Sequence, residues 1–454
     1  MSLRSINPYD GELLGEHSPW TSDELNAVLD QVTSAQRAWS ARPLHERGDY
    51  LRRVAEVLRQ DRDALAAVIT QEMGKLTKEA KGEIDKCAWV CDYYADQAAE
   101  FLADEAVETD GSRSFVAYQP LGTVFAIMPW NFPFWQVFRF AAPALMAGNA
   151  GVLKHANNVS MSATLIEDVF RRAGLPDTVF RALMIEIPQV EAVIRDRRIS
   201  AVTLTGSERA GEAVGAQAGA ALKKCVLELG GSDPFVVLDD ADLERASRMA
   251  VASRFINGGQ SCIAAKRFII VEAIAEAFLE RFAHGVQALR YGDPADPQTS
   301  LPPLARADLR DGLHAQVQDS LTAGAVAVTG CAPIAGTFAG YQPSILDQVK
   351  PGMRAYGEEL FGPVAVVIRA PDTEAALAIA SDSDYGLGAS VWTQDPARGE
   401  AAARRIQSGS VFVNGMVKSD PRLPFGGIKR SGYGRELSYH GMREFVNVKT
   451  VWMG

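Results

Sequence analysis

Between Thr21 and Ser40 the apolar residues Leu25, Val28, Leu29, Val32, Ala35 and Trp39 recur at helical spacing, and Thr21 with Glu24 forms a capping-box pattern. This stripe predicts an amphipathic helix that opens a helical N-terminal region. From Leu121 the pattern changes. Short apolar runs at 124–128, 151–153, 179–183, 201–204 and 225–229 alternate with amphipathic stretches, and the alternation resumes after Ser232 at 235–238, 268–271, 364–368, 389–392 and 411–413. Strands alternating with helices predict parallel sheets covered by helices on both faces. Two doubly wound, Rossmann-like α/β domains in series account for the pattern: residues 1–105 with 121–230, then 231–432. The stretches 112–119 and 444–452 alternate outside this scheme and read as extra strands, at their simplest an edge hairpin.

A chain of 454 residues is too long for one compact core, which agrees with two or three domains. Its net charge of -10 argues against nucleic acid as a partner, because a phosphate-binding surface needs a basic face. No apolar run reaches the roughly 18 residues needed to span a bilayer. The N-terminus lacks a basic-then-apolar signal pattern. These features predict a cytoplasmic protein. Five cysteines suit free thiols in a reducing compartment better than a disulfide framework. Cys87 and Cys91 share a helix face, but no second Cys or His pair stands at ligand spacing, so packing is expected and no metal site. Cys225 falls in an apolar strand-like run and Cys331 beside a turn, and neither has the setting of a nucleophile.

Cys262 is different. It ends the run Asn257-Gly258-Gly259-Gln260-Ser261-Cys262 at a predicted helix-to-strand junction, where glycines permit close backbone approach and exposed amides can hold a thiolate. Four other stretches accompany it: Pro129-Trp130-Asn131-Phe132-Pro133, Leu204-Thr205-Gly206-Ser207, Leu227-Glu228-Leu229-Gly230-Gly231 and Glu358-Glu359-Leu360-Phe361-Gly362-Pro363. Together, and in order from Ile6-Asn7-Pro8 to Pro424-Phe425-Gly426-Gly427-Ile428-Lys429, these resemble the aldehyde dehydrogenase superfamily over nearly the whole chain.

The resemblance implies oxidation of an aldehyde to an acid. A carbonyl carbon gives up hydride readily only once a nucleophile has made it tetrahedral and anionic; Cys262 is the expected nucleophile. Asn131 and the Cys262 backbone N–H are the expected donors to the oxyanion. Glu228, behind the apolar Val226-Leu227, is the expected base that activates water against the thioester, its pKa raised by desolvation. No Gly-x-Gly-x-x-Gly fingerprint or P-loop is present. Family members nevertheless bind nicotinamide dinucleotides, which implies Gly206 and Ser207 at a helix N-terminus facing the pyrophosphate. It also implies Lys154 on the adenine ribose, Glu359 on the nicotinamide ribose, and Trp130, Leu229 and Phe361 around the ring. NAD-specific members carry a glutamate three residues after the lysine, where this chain has Asn157; with no carboxylate to repel a 2′-phosphate, use of both NAD and NADP is expected.

The nearest resemblance within the family is to members acting on succinate semialdehyde. It implies Arg139 and Ser419 as contacts for the substrate carboxylate. Some of those members have a second arginine where this chain has Ile256, a difference of about 1.5 to 3 kcal/mol of binding. Some carry a second cysteine where this chain has Ala264, so no local disulfide switch is expected here. Another semialdehyde, or an uncharged aldehyde, is the alternative substrate; a catalytically silent scaffold is the remoter reading. The resemblance further implies that 106–120 and 433–454 form a small sheet joining subunits into a homodimer or homotetramer.

Overall fold

The computed structural model describes residues 2–454. Thr21 caps the helix Ser22–Ser40 as the pattern predicts: its side chain accepts from the Glu24 N–H while the Glu24 carboxylate accepts from the Thr21 N–H at 2.7 Å. A six-stranded sheet follows in the order Gly432–Tyr433, Lys224–Glu228, Ile199–Thr205, Thr123–Met128, Ala150–His155, Phe180–Ala182. All its pairings are parallel except that of Gly432–Tyr433. Within Thr123–Met128, Val124 and Ala126 face a core formed with the helices Thr77–Phe101 and Trp135–Met146, while Phe125 faces the helices Ser22–Ser40 and Ile187–Arg195. A strand buried on both faces reads as a continuous apolar run, and for that reason the sequence pattern located it.

A seven-stranded sheet has the order Val326–Thr329, Ser344–Asp347, Val364–Ala370, Arg267–Val271, Pro234–Val237, Gly388–Trp392, Ser410–Val413. It is parallel but for the antiparallel edge strand Val326–Thr329. A third, antiparallel sheet pairs Val446–Met453 and Glu105–Ala106 with the two edges of Arg113–Pro120.

Two features were not read from the pattern. The hairpin Leu3–Ile6 with Leu13–His17 turns Ser5 inward, where its hydroxyl bonds the buried Glu72 and lies 3.0 Å from the Ser160 hydroxyl, so a polar residue occupies an inward position. The strand Val326–Thr329 has Val326 and Ala327 exposed, and without a buried face it leaves no alternation.

The chain leaves the first large sheet at Glu228 and enters the second at Pro234 through Gly230-Gly231. A Cβ on Gly230 would lie 2.4 Å from a Glu359 carboxylate oxygen, so a larger residue there would displace that carboxylate.

Candidate active site

Cys262 stands on a loop whose shape is enforced from all sides. The helix Leu243–Phe255 ends in a turn in which Asn257, Gly258 and Gly259 are all left-handed, with φ of 54°, 63° and 76°. Such a conformation in a non-glycine residue costs roughly 1–3 kcal/mol and persists only where the surroundings impose it. Here they do. The buried Arg254 guanidinium donates to the carbonyls of Gly259 at 2.8 Å, Ala265 at 2.9 Å and Leu360 at 3.2 Å. Lys266, also buried, donates to the carbonyls of Ser261 and Cys262, each at 2.9 Å. The Asn257 amide donates to the Asn131 carbonyl at 2.8 Å and so ties the cysteine loop to the second motif.

That second motif is itself fixed by His155. Its Nδ1 accepts from the Ala156 N–H at 3.0 Å, leaving Nε2–H to donate to the Pro133 carbonyl at 2.8 Å. Burial holds this imidazole neutral, with its pKa pushed down to about 4. The Asn131 side chain accepts the Phe132 N–H at 3.1 Å and donates one N–H to the Gln260 carbonyl at 3.1 Å. Its other N–H remains for an oxyanion. Among the described residues none accepts from the Cys262 backbone N–H.

The thiol lies where two cavities meet. One, of about 230 Å³, has a mainly apolar wall surface, supplied by residues including Phe132, Trp135, Ile263 and Phe425. The other, of about 260 Å³, is lined by Trp130, Asn131, Gly206, Ser207, Glu359 and Phe361 among others. Cys262 and Gln136 belong to both. Burial pushes the Cys262 thiol up to about 12 despite the opposing pull of Arg139 and Lys266, so the resting residue is a neutral thiol.

Glu228 is buried, and neither of its carboxylate oxygens has a hydrogen-bond partner among the described residues. Burial, reinforced by the neighbouring Glu436, raises its pKa well above the ordinary carboxylate value. The carboxyl lies against Gly426, where a Cβ would stand 2.6 Å from Oε1, and it lines neither cavity.

Of the expected cofactor residues, Trp130, Gly206, Ser207 and Leu229 follow the carboxyl ends of first-sheet strands, where ligands of open α/β sheets lie, and share a cavity with Glu359 and Phe361 from the segment before Val364–Ala370; Lys154 and Asn157 do not line that cavity. Ser207 caps the helix Glu208–Ala220, its side chain accepting from the Ala210 N–H. Trp130 and Phe361 meet edge to face at 5.8 Å, and Leu229 adjoins them in the same cavity. Glu359 accepts from Lys266 at 3.1 Å and from the Gly231 N–H at 3.2 Å, which holds its carboxylate at the cavity wall. Lys154, at the end of Ala150–His155, donates to the Asn157 side-chain oxygen at 2.5 Å. A helix N-terminus, an aromatic slot, a fixed carboxylate and a buried lysine suit a dinucleotide.

The substrate residues depart from expectation in one respect. Arg139 lines the apolar cavity, but its guanidinium is paired with the buried Glu436, donates to the Thr205 hydroxyl at 3.3 Å and stacks over Phe425 at 4.5 Å. The arginine therefore already has an anion as its partner. Ser419 lines the same cavity and accepts from Trp135 Nε1 at 3.1 Å and from Lys86 Nζ at 2.6 Å. Lys86 had not been singled out from the sequence, since it lies on the helix Thr77–Phe101, far from every motif. The one sequence signal was the spacing of Glu79, Glu83 and Lys86 along a single helix face.

A thiol shared between a cavity lined by the expected dinucleotide residues and an apolar one is the arrangement of a nicotinamide-dependent oxidoreductase. The profile of the aldehyde dehydrogenase family matches residues 1–451, and the chain belongs to that family, whose members oxidise aldehydes with NAD+ or NADP+. It is 49% identical over 453 residues to a probable succinate-semialdehyde dehydrogenase (NADP+) of Synechocystis sp., covering all of both chains. It is likewise 49% identical to the NAD(P)+ succinate semialdehyde dehydrogenase of Escherichia coli, covering 99% of this chain and 97% of that one. Among solved structures, the Streptococcus pyogenes succinic semialdehyde dehydrogenase in complex with NADP+ superposes with a TM-score of 0.97 at 39% identity, over 99% of each chain.

Proposed function

We propose that this protein oxidises succinate semialdehyde to succinate, using NADP+ or NAD+. The observation that carries the reading is the position of Cys262 at the junction of the two cavities, one lined by residues expected to hold a dinucleotide and the other bearing cationic and hydroxyl groups on an apolar wall. The names of the relatives support the substrate and both cofactors.

The dinucleotide, when bound, supplies the hydride acceptor, held by Gly206, Ser207, Glu359, Trp130, Leu229 and Phe361, with Lys154 and Asn157 toward its adenine ribose. The remaining work is done by the chain. Cys262 gives its proton to solvent water and its sulfur bonds the aldehyde carbon, whose carbonyl oxygen becomes an oxyanion stabilised by Asn131 and the Cys262 N–H. After oxidation the carbon is a thioester. Glu228 takes a proton from water, the water oxygen bonds the acyl carbon and the carbon–sulfur bond breaks, releasing succinate and the thiolate. To reach that water, the Glu228 side chain must swing away from Gly426.

Residues 1–105 with 121–230 form the dinucleotide-holding unit in this reading, residues 231–432 the unit that carries the thiol, and 106–120 with 433–454 the subunit-joining sheet. The working form is a homodimer or homotetramer in the cytoplasm. Support for that compartment comes from five free cysteines, and among the described residues no helix is long and apolar enough to cross a membrane.

Initial rates with succinate semialdehyde, glutarate semialdehyde, butanal and benzaldehyde, each with NAD+ and NADP+, test the proposal. The reading requires the highest kcat/KM for succinate semialdehyde. Higher values for an uncharged aldehyde would leave only the family activity standing.

A further inference from the structure

The apolar cavity has several charged groups on its walls, and most already have partners. Glu83 pairs with Lys75 and accepts the N–H groups of Phe134 at 2.8 Å and Trp135 at 2.9 Å. Arg139 pairs with Glu436. Glu79 accepts the Asn257 N–H at 3.1 Å, and burial shifts its carboxyl toward the neutral acid. Lys418 reaches the cavity but is exposed to water. Lys86 is the exception. It lines the cavity, its ammonium stands 4.1 Å over the Trp135 ring, and among the described residues no carboxylate lies within ion-pair distance.

The hydrogen bonding around it has a direction. The Ser419 oxygen accepts from both Lys86 Nζ and Trp135 Nε1, which occupies its two lone pairs. Its own hydrogen must therefore point elsewhere, as a donor. Lys86 keeps two further N–H groups. An ammonium and a hydroxyl with donors to spare, against an aromatic wall, form a receptor for a small carboxylate.

Resting on the succinate semialdehyde reading, we infer that Lys86, assisted by Ser419, is the group that binds the substrate's distal carboxylate and sets the preference for an anionic aldehyde, Arg139 being already paired with Glu436. Desolvation of Lys86 agrees with this: burial and the nearby Arg139 push its pKa down to about 8, an imbalance that an arriving carboxylate relieves. Arg139 stabilises negative charge at Cys262.

The test compares Lys86→Met and Lys86→Arg with the parent, using succinate semialdehyde and butanal at saturating NADP+. Lys86→Met is expected to lower the ratio of kcat/KM for succinate semialdehyde over butanal about tenfold or more, mainly through KM, because one charged contact is lost. Lys86→Arg is expected to keep most of the ratio, since the charge remains. An unchanged ratio in Lys86→Met, or an equal loss for both aldehydes, would overturn the inference. A parent enzyme that shows no preference for succinate semialdehyde would sink the functional reading instead. The inference about Lys86 would then be judged by competitive inhibition of butanal oxidation by succinate: it requires Lys86→Met to weaken that inhibition about tenfold, and equal inhibition of both forms would refute it.

Discussion

At Glu228 a carboxyl is held where no hydrogen bond compensates its burial, and such a group costs the fold stability whenever it must be charged. Its native pKa lies above the unfolded value of about 4.3, so the native state retains the proton longer than the unfolded chain does. As pH rises past that value the unfolded state is favoured, and stability is lost. Glu228→Gln removes this cost. The Tm of the variant is expected to exceed that of the parent by about 2 °C or more at pH 8, and the gap should close toward pH 4.5. A variant less stable than the parent at pH 8 would show that the carboxylate is matched by charges around it. Cys262, Asn131 and Glu228 stand out in the sequence, and their proposed roles can be read there, because each sits in a short motif of fixed spacing. The partner of Arg139 was not: Glu436 approaches it only through the pairing of the C-terminal segment with the first sheet, and nothing local to Arg139 records that contact.

The turn that delivers Cys262 illustrates the same contrast at the level of an element. Two glycines and a glutamine announced a tight loop, and the loop is there. The side chains that enforce it, Arg254 and Lys266, read in sequence as ordinary charged residues, and their burial follows from a ring of carbonyls that only tertiary structure assembles. Gly259 combines a φ of 76° with a backbone so close that a Cβ would stand 2.2 Å from the Gly362 carbonyl oxygen. Gly259→Ala is therefore expected to cost about 1–3 kcal/mol and to lower kcat sharply by displacing Cys262. Cofactor binding, measured by fluorescence titration with NADPH, should weaken far less. Normal kcat with an unchanged Tm would mean the turn relaxes freely.

A second element prediction concerns the short turn after Ala150–His155. Asn157 accepts from Lys154 without repelling a phosphate, so Asn157→Glu is expected to raise the NAD+ to NADP+ ratio of kcat/KM about tenfold, some 1.4 kcal/mol. No movement of the ratio would place cofactor choice elsewhere.

For the molecule as a whole, the alternating runs located most strands of both large sheets, because strands buried on two faces cannot hide their composition. The third sheet was legible as strands, and its proposed purpose only through the family resemblance. It leaves Val448, Trp452 and Met453 exposed, an apolar edge that an isolated chain would leave open to further pairing. The proposed assembly covers that edge. Trp452→Lys is expected to shift sedimentation velocity profiles toward smaller species at micromolar concentration, and an unchanged profile would put the subunit contact on another surface.

The central claim is that the acyl group of a carboxylated aldehyde passes through the sulfur of Cys262 and is released by Glu228. Mixing Glu228→Gln with succinate semialdehyde and NADP+, quenching in acid and mapping the digested protein by mass spectrometry tests it directly. One succinyl group is expected on the peptide containing Cys262, formed only when the oxidised cofactor is present and absent in the double variant with Cys262→Ala. A protein that turns over succinate semialdehyde without accumulating this adduct, or that carries the succinyl group on Cys225 instead, would contradict it.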